Sequence, residues 1–96
     1  MLARSSKGAS MPRISEFFGI VIGMYYNDHA PPHFHAKYAE HEAEVAIESL
    51  AVLNGSLPRR ALAMVLEWAA VHREELRTNW EAAREGKPLF RIRGLE

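Results

Sequence analysis

Ninety-six residues are enough chain for one core but not two, and 48% hydrophobic with 25% charged side chains is ordinary globular composition. Twelve basic and twelve acidic residues cancel, which excludes the broad positive field of a non-specific nucleic-acid binder. The lack of cysteine excludes disulfides and thiolate metal ligands and is compatible with a reducing cytoplasm, the expected location.

Met1 to Ser10 has no apolar stretch of signal-peptide type and reads as a flexible extension, with a single domain over residues 11–96. Phe17 to Asn27 is β-branched and aromatic, which predicts a strand. Its even positions, Phe18, Ile20, Ile22, Met24 and Tyr26, form an apolar face; Gly19, Val21, Gly23, Tyr25 and Asn27 form the other. The apolar run inside it, Phe17 to Met24, is too short to cross a bilayer, so no membrane role is expected. Asp28-His29-Ala30-Pro31-Pro32 is a loop, because prolines cannot donate ladder hydrogen bonds.

His33 to Tyr38 alternates again, with Phe34, Ala36 and Tyr38 on one side and His33, His35 and Lys37 on the other. Glu42 to Glu48 predicts a third strand, Leu50 to Leu53 a short fourth, and Asn54-Gly55 a turn. The period then becomes helical. Ser56 suits an N-cap, Pro58 a first turn, and Leu62, Val65, Leu66, Ala69, Leu76, Trp80 and Ala83 form one stripe up to Gly86. That predicts one long amphipathic helix, roughly 40 Å at the usual rise per residue. The expected architecture is α+β: an antiparallel three- to four-stranded sheet covered on one face by the long C-terminal helix. Leu89 to Ile92 is left as a closing edge strand or an ordered tail.

Alternation also sets an expected register, since a slip of one residue would turn the apolar side chains outward. A two-residue loop at Ala39-Glu40 places Lys37 opposite Glu42, His35 opposite Glu44 and Phe34 opposite Val45. Closure through Asp28 to Pro32 places Asn27 opposite His33, Tyr25 opposite His35 and Tyr26 opposite Phe34. A row of Tyr25, His35 and Glu44 then crosses an open polar face, with Asn27, His33 and Lys37 beside it.

Two chemistries compete for that row, and a plain solvated sheet face is the alternative to both. A carboxylate hydrogen-bonded to an imidazole makes a general base, so Glu44 could orient His35 or His33, with Tyr25 beside them. Lys37, Arg59 and Arg60 would hold phosphate, while Gly19 and Gly23 would let a ligand backbone approach. Alternatively His33 and His35, two residues apart on a strand, chelate a divalent metal such as zinc, with His29, Asp28 or Glu44 as third ligand. His41 reads as a turn residue, His72 as an edge-of-core residue, and Trp68 and Trp80 as core.

Several segments resemble a known family. Pro12-Arg13-Ile14-Ser15, Met24-Tyr25-Tyr26-Asn27-Asp28-His29 and Pro31-Pro32-His33-Phe34-His35-Ala36 are similar to the bacterial domain-of-unknown-function 4160 family. So are Leu57-Pro58-Arg59-Arg60-Ala61-Leu62, Trp68-Ala69, His72-Arg73-Glu74-Glu75-Leu76 and Asn79-Trp80. The resemblance runs from about Met11 to the C-terminus, and Ala39 stands where the family often carries glycine. It implies a small prokaryotic protein of a toxin–antitoxin-like gene pair, binding a small cognate protein encoded by an adjacent gene. It supplies no catalytic residues.

Two functions are therefore expected. One is the toxin of a two-protein module, cleaving RNA without metal with His35 or His33 as base. The other is a non-enzymatic binding or regulatory module, an antitoxin or a metal-binding accessory protein, using the histidine-rich turn.

Overall fold

In the computed structural model, which describes residues 11–96, five strands precede two helices. The strands are β1 (Arg13–Phe17), β2 (Ile20–Gly23), β3 (His33–Tyr38), β4 (His41–Ala46) and β5 (Val52–Ser56). The helices are α1 (Arg59–Val71) and α2 (Arg73–Arg84). The strands pair in sequence order as one antiparallel sheet. The extension expected over Met1 to Ser10 lies outside the described residues. No described helix is long and apolar enough to cross a membrane.

The α+β class holds, but the sheet has one strand more than three to four and the helix is two. The added strand is β1, Arg13–Phe17, where only Ile14 and Phe17 are apolar, three residues apart and out of strand alternation. The strand expected over Phe17 to Asn27 is cut short because Phe18 and Gly19 both take left-handed φ, 48° and 79°, and form the β1–β2 turn. Phe18 consequently points to solvent, as does Tyr26, while Ile20, Ile22 and Met24 are buried.

Asn54-Gly55 is not a turn. Both residues lie inside β5, opposite Glu44 and Ala43, beside a register shift at Val45. Gly55 takes φ 74°, and a Cβ there would collide with the Glu42 carbonyl, so this position demands glycine. The β4–β5 turn falls earlier, at Ile47–Ser49. Arg77 closes it with two hydrogen bonds to the Glu48 carboxylate, 2.6 and 2.8 Å, which hold that carboxyl below its ordinary pKa.

Ser56 ends β5 and does not cap; Pro58 occupies the position before α1. The expected single helix breaks at His72, whose dihedrals of −109° and 25° leave the helical range. The His72 ring lies against Trp68, with centroids 5.4 Å apart, and its Nδ1 meets the Glu75 carboxylate. Glu74 and Glu75 then sit in the first turn of α2 and Arg84 in its last, both signs matched to the helix dipole.

One face of the sheet and both helices enclose the core. Ile20, Ile22, Phe34 and Val45 meet Val65, Trp68, Ala69 and Leu76, all with no measurable exposure. Trp68 packs against Phe17 and Phe34 at 5.3 and 5.9 Å between ring centroids. The C-terminal residues form an ordered tail rather than a strand. Fully buried Asn79 accepts from the Phe90 amide and donates to its carbonyl, at 3.0 and 2.9 Å. The Ile92 amide donates to Ile14 at 2.7 Å and the Trp68 indole to Arg93 at 2.7 Å, so the tail lies along the outer edge at β1.

A candidate metal centre at the histidine turn

The β3–β4 register matches expectation, with Lys37 opposite Glu42, His35 opposite Glu44 and Phe34 opposite Val45. The β2–β3 register does not. Gly23, not Tyr25, lies opposite His35, because β2 ends at Gly23 and the chain then leaves the sheet. Tyr25 still reaches His35, edge-on at 4.8 Å between centroids. Nor is the polar face open at this point. Met11 and the Pro12 carbonyl occupy the space over Gly23, so the approach expected there for a ligand is taken by the chain itself.

What the loop delivers is Asp28. Asn27 takes φ 56°, its amide donates to Ala83 at 3.3 Å, and the next residue folds back over β3. One oxygen of Asp28, Oδ2, then lies 3.0 Å from His33 Nε2 and 3.2 Å from His35 Nε2. Its other oxygen accepts the His29 amide at 2.9 Å. The side chains of His33, His35 and Asp28 are 1%, 3% and 3% exposed. Trp80 flanks the His33 ring at 5.2 Å.

The remaining ring nitrogens decide the chemistry. His33 Nδ1 is 2.7 Å from the Pro31 carbonyl, which can only accept, so this nitrogen carries the proton. His35 Nδ1 is 3.0 Å from the Glu42 carboxylate, which assigns its proton the same way. In the neutral rings both Nε2 atoms therefore present lone pairs, and both face a carboxylate oxygen. Three acceptors converging in a buried space repel one another unless a cation lies between them. A metal ion bound between them would relieve that repulsion.

The arrangement matches what a metal requires. Ligating imidazoles characteristically donate their second N–H to a carbonyl or carboxylate, which fixes the tautomer and raises basicity. Ligand atoms about 2.0–2.1 Å from an ion lie about 2.9 Å apart at right angles and about 3.4 Å apart at the tetrahedral angle. The separations from Asp28, 3.0 and 3.2 Å, fall inside that range. All three ligand atoms lie within 4.8 Å of one another, an outer bound wider than the tetrahedral spacing, so an ion would draw them together.

The other expected site residues are dispersed. Glu44 faces His35 in register, yet its Oε1 is 3.9 Å from His33 Nε2, and His35 donates its hydrogen bond to Glu42 instead. Glu42 lies diagonally across β4, within reach of a long side chain. His29 is a further departure from the expected metal set of His29, His33 and His35. Its side chain is 69% exposed, with Nε2 3.8 Å from Asp28 Oδ1. Lys37 is half-buried on the same face, and Arg59 and Arg60 are exposed in the first turn of α1. No hydrogen bond or ion pair among the described residues joins any of the three to the cluster. Sequence reasoning missed Glu42 and the Pro31 carbonyl as orienting groups. The visible signal was the i, i+2 histidine pair, which makes any carboxylate on a neighbouring strand a partner.

A family model described as a domain of unknown function, DUF4160, matches residues 19–81, about two thirds of the chain, and spans the whole cluster. No curated protein and no solved structure matches the chain.

Proposed function

The chain belongs to the DUF4160 family, and from its geometry we propose that it is a metal-binding module holding one divalent transition-metal ion through Asp28, His33 and His35. One observation carries the reading: both Nδ1 atoms are committed to acceptors while both Nε2 atoms meet at a single carboxylate oxygen. Two nitrogens and one oxygen of this kind suit zinc, nickel or cobalt better than magnesium or calcium, which prefer an all-oxygen shell. A metal-binding accessory protein is the non-enzymatic role that fits.

The metal-free ribonuclease draws less support from the same contacts. A general base must reach the proton it removes, at hydrogen-bond distance or through one water. His35 has both nitrogens against carboxylates and is 2% exposed, and no cationic side chain adjoins it among the described contacts. A metal ion uses these contacts; an attacking hydroxyl would have to displace one.

Calorimetric titration of the metal-free protein with zinc should show one ion per chain with micromolar or tighter affinity. Asp28→Asn and His33→Gln should each weaken it by at least tenfold while the far-ultraviolet dichroism is unchanged. Lack of zinc, nickel and cobalt binding by the wild-type chain would rule the proposal out.

A further inference from the structure

We infer that Glu44 is the fourth ligand, closing the site into a four-coordinate centre that clamps the histidine loop to β3 and β4. The inference rests on the three-ligand reading above and adds a residue, a coordination number and a role. The three ligand side chains come from the loop and from β3, and none from β4. Glu44 is the carboxylate that β4 contributes at this position. It lies opposite His35, on the same face, with Oε1 3.9 Å from His33 Nε2. A tetrahedral partner would stand about 3.4 Å away, so Glu44 must close by about half an ångström on His33 as its side chain rotates toward the ion.

The alternatives are already occupied. Glu42 holds His35 Nδ1 at 3.0 Å and orients that ring. His29 is largely in solvent and directs its Nε2 at the Asp28 oxygen that does not face the two rings. Glu44 is between these cases, with a side chain 20% exposed, at the mouth of a site whose other members are buried.

Charge favours the same residue. A divalent ion with two neutral imidazoles and the Asp28 carboxylate carries one net positive charge in a buried space, which is costly. The Glu42 carboxylate behind His35 offsets part of that charge from a distance, and a second carboxylate in the inner shell, Glu44, would set the compensation on the ion itself. A catalytic centre keeps one position open for water, whereas a structural one is closed by protein ligands. Glu44 fills that position, so the ion's role is to tie Asp28 of the loop to His33 and His35 of β3 and to β4.

Cobalt substitution tests this without relying on any variant. Four-coordinate cobalt(II) absorbs intensely in the visible, and six-coordinate cobalt(II) only weakly. The wild-type cobalt protein should show the intense bands. Glu44→Gln should bind zinc about 10- to 100-fold more weakly and lose most of that intensity. Glu42→Gln should weaken binding less and leave the band pattern in place, as expected of a positioning residue. If the wild type binds cobalt with weak six-coordinate bands, or Glu44→Gln binds zinc as tightly as the wild type, Glu44 is not a ligand and the three-residue site still stands. If the wild type binds no metal, both proposals fall.

Discussion

The two sides of this sheet are built on different physics. On the helix side, Trp68, Phe34, Val65 and Leu76 remove apolar surface from water and need nothing but one another. On the loop side, Asp28, His33 and His35 are as deeply placed near β3, with Glu42 half in solvent beside them, but their contacts are polar. Two imidazoles can supply two protons to four nitrogen–oxygen contacts. The first region is complete in the chain as it stands, while on the proposed reading the second is strengthened by an ion. An ion at a hundredfold excess over its dissociation constant would stabilise the native state by about 2.7 kcal/mol.

The largest expected effect breaks the comparison by removing its first half. Trp68 has no exposure, meets Phe17, Phe34 and His72, and donates its indole N–H to Arg93. Trp68→Ala leaves a cavity and an unpaired carbonyl, and should lower unfolding free energy by about 3–5 kcal/mol in urea titrations. Added zinc should recover part of that loss, since the ligands come from the sheet and its loop, not from α1. Recovery of the whole loss would mean that the metal side dominates the fold, against the division drawn here.

Asn79→Ala is the narrower cut. It removes both hydrogen bonds to Phe90 and loosens the start of the tail, which Ile14 and Trp68 still hold at Ile92 and Arg93, at a cost of about 2 kcal/mol. Neighbouring Trp80 packs on His33, so this variant also asks whether the two regions are coupled through α2. Zinc affinity measured by calorimetry should be unchanged. A tenfold or larger loss would show that the tail helps position the His33 ring.

Legibility divides along the same line. Strands facing the core were readable because alternation has one consistent solution, and the β3–β4 register follows from it residue for residue. The family assignment rested on segments between Pro12 and Trp80, the loop above all, and the match over residues 19–81 bears the family out. β1 was not readable, because Arg13 to Phe17 carries two charges and its pairing with β2 depends on the left-handed pair Phe18-Gly19. The break at His72 was signalled only by Glu74-Glu75, which suit the start of a new helix as well as the middle of a long one. In the site, His33 and His35 were evident as a pair and Asp28 stood among the third-ligand candidates. Glu42 was not, since a side chain acting diagonally across two strands leaves no mark in a register of direct opposites.

The smallest expected effect concerns the hairpin that carries the ligands. Ala39 begins the two-residue turn between β3 and β4, closed by the pair Tyr38 and His41, and its φ is 52°. A left-handed alanine places Cβ against the carbonyl oxygen at a cost of about 1–2 kcal/mol, which glycine avoids. Glycine also gains freedom in the unfolded chain, which costs about 0.5–1 kcal/mol on folding. The first effect outweighs the second, so Ala39→Gly should raise unfolding free energy by about 0.5–1 kcal/mol. His33 and His35 lie on one arm of this hairpin and Glu42 and Glu44 on the other. Relief of turn strain leaves their register unchanged, so the variant should bind zinc as the wild type does. If stability rises while affinity drops, the alanine serves the site by holding the arms in a strained setting, and the two sides of the sheet are not independent.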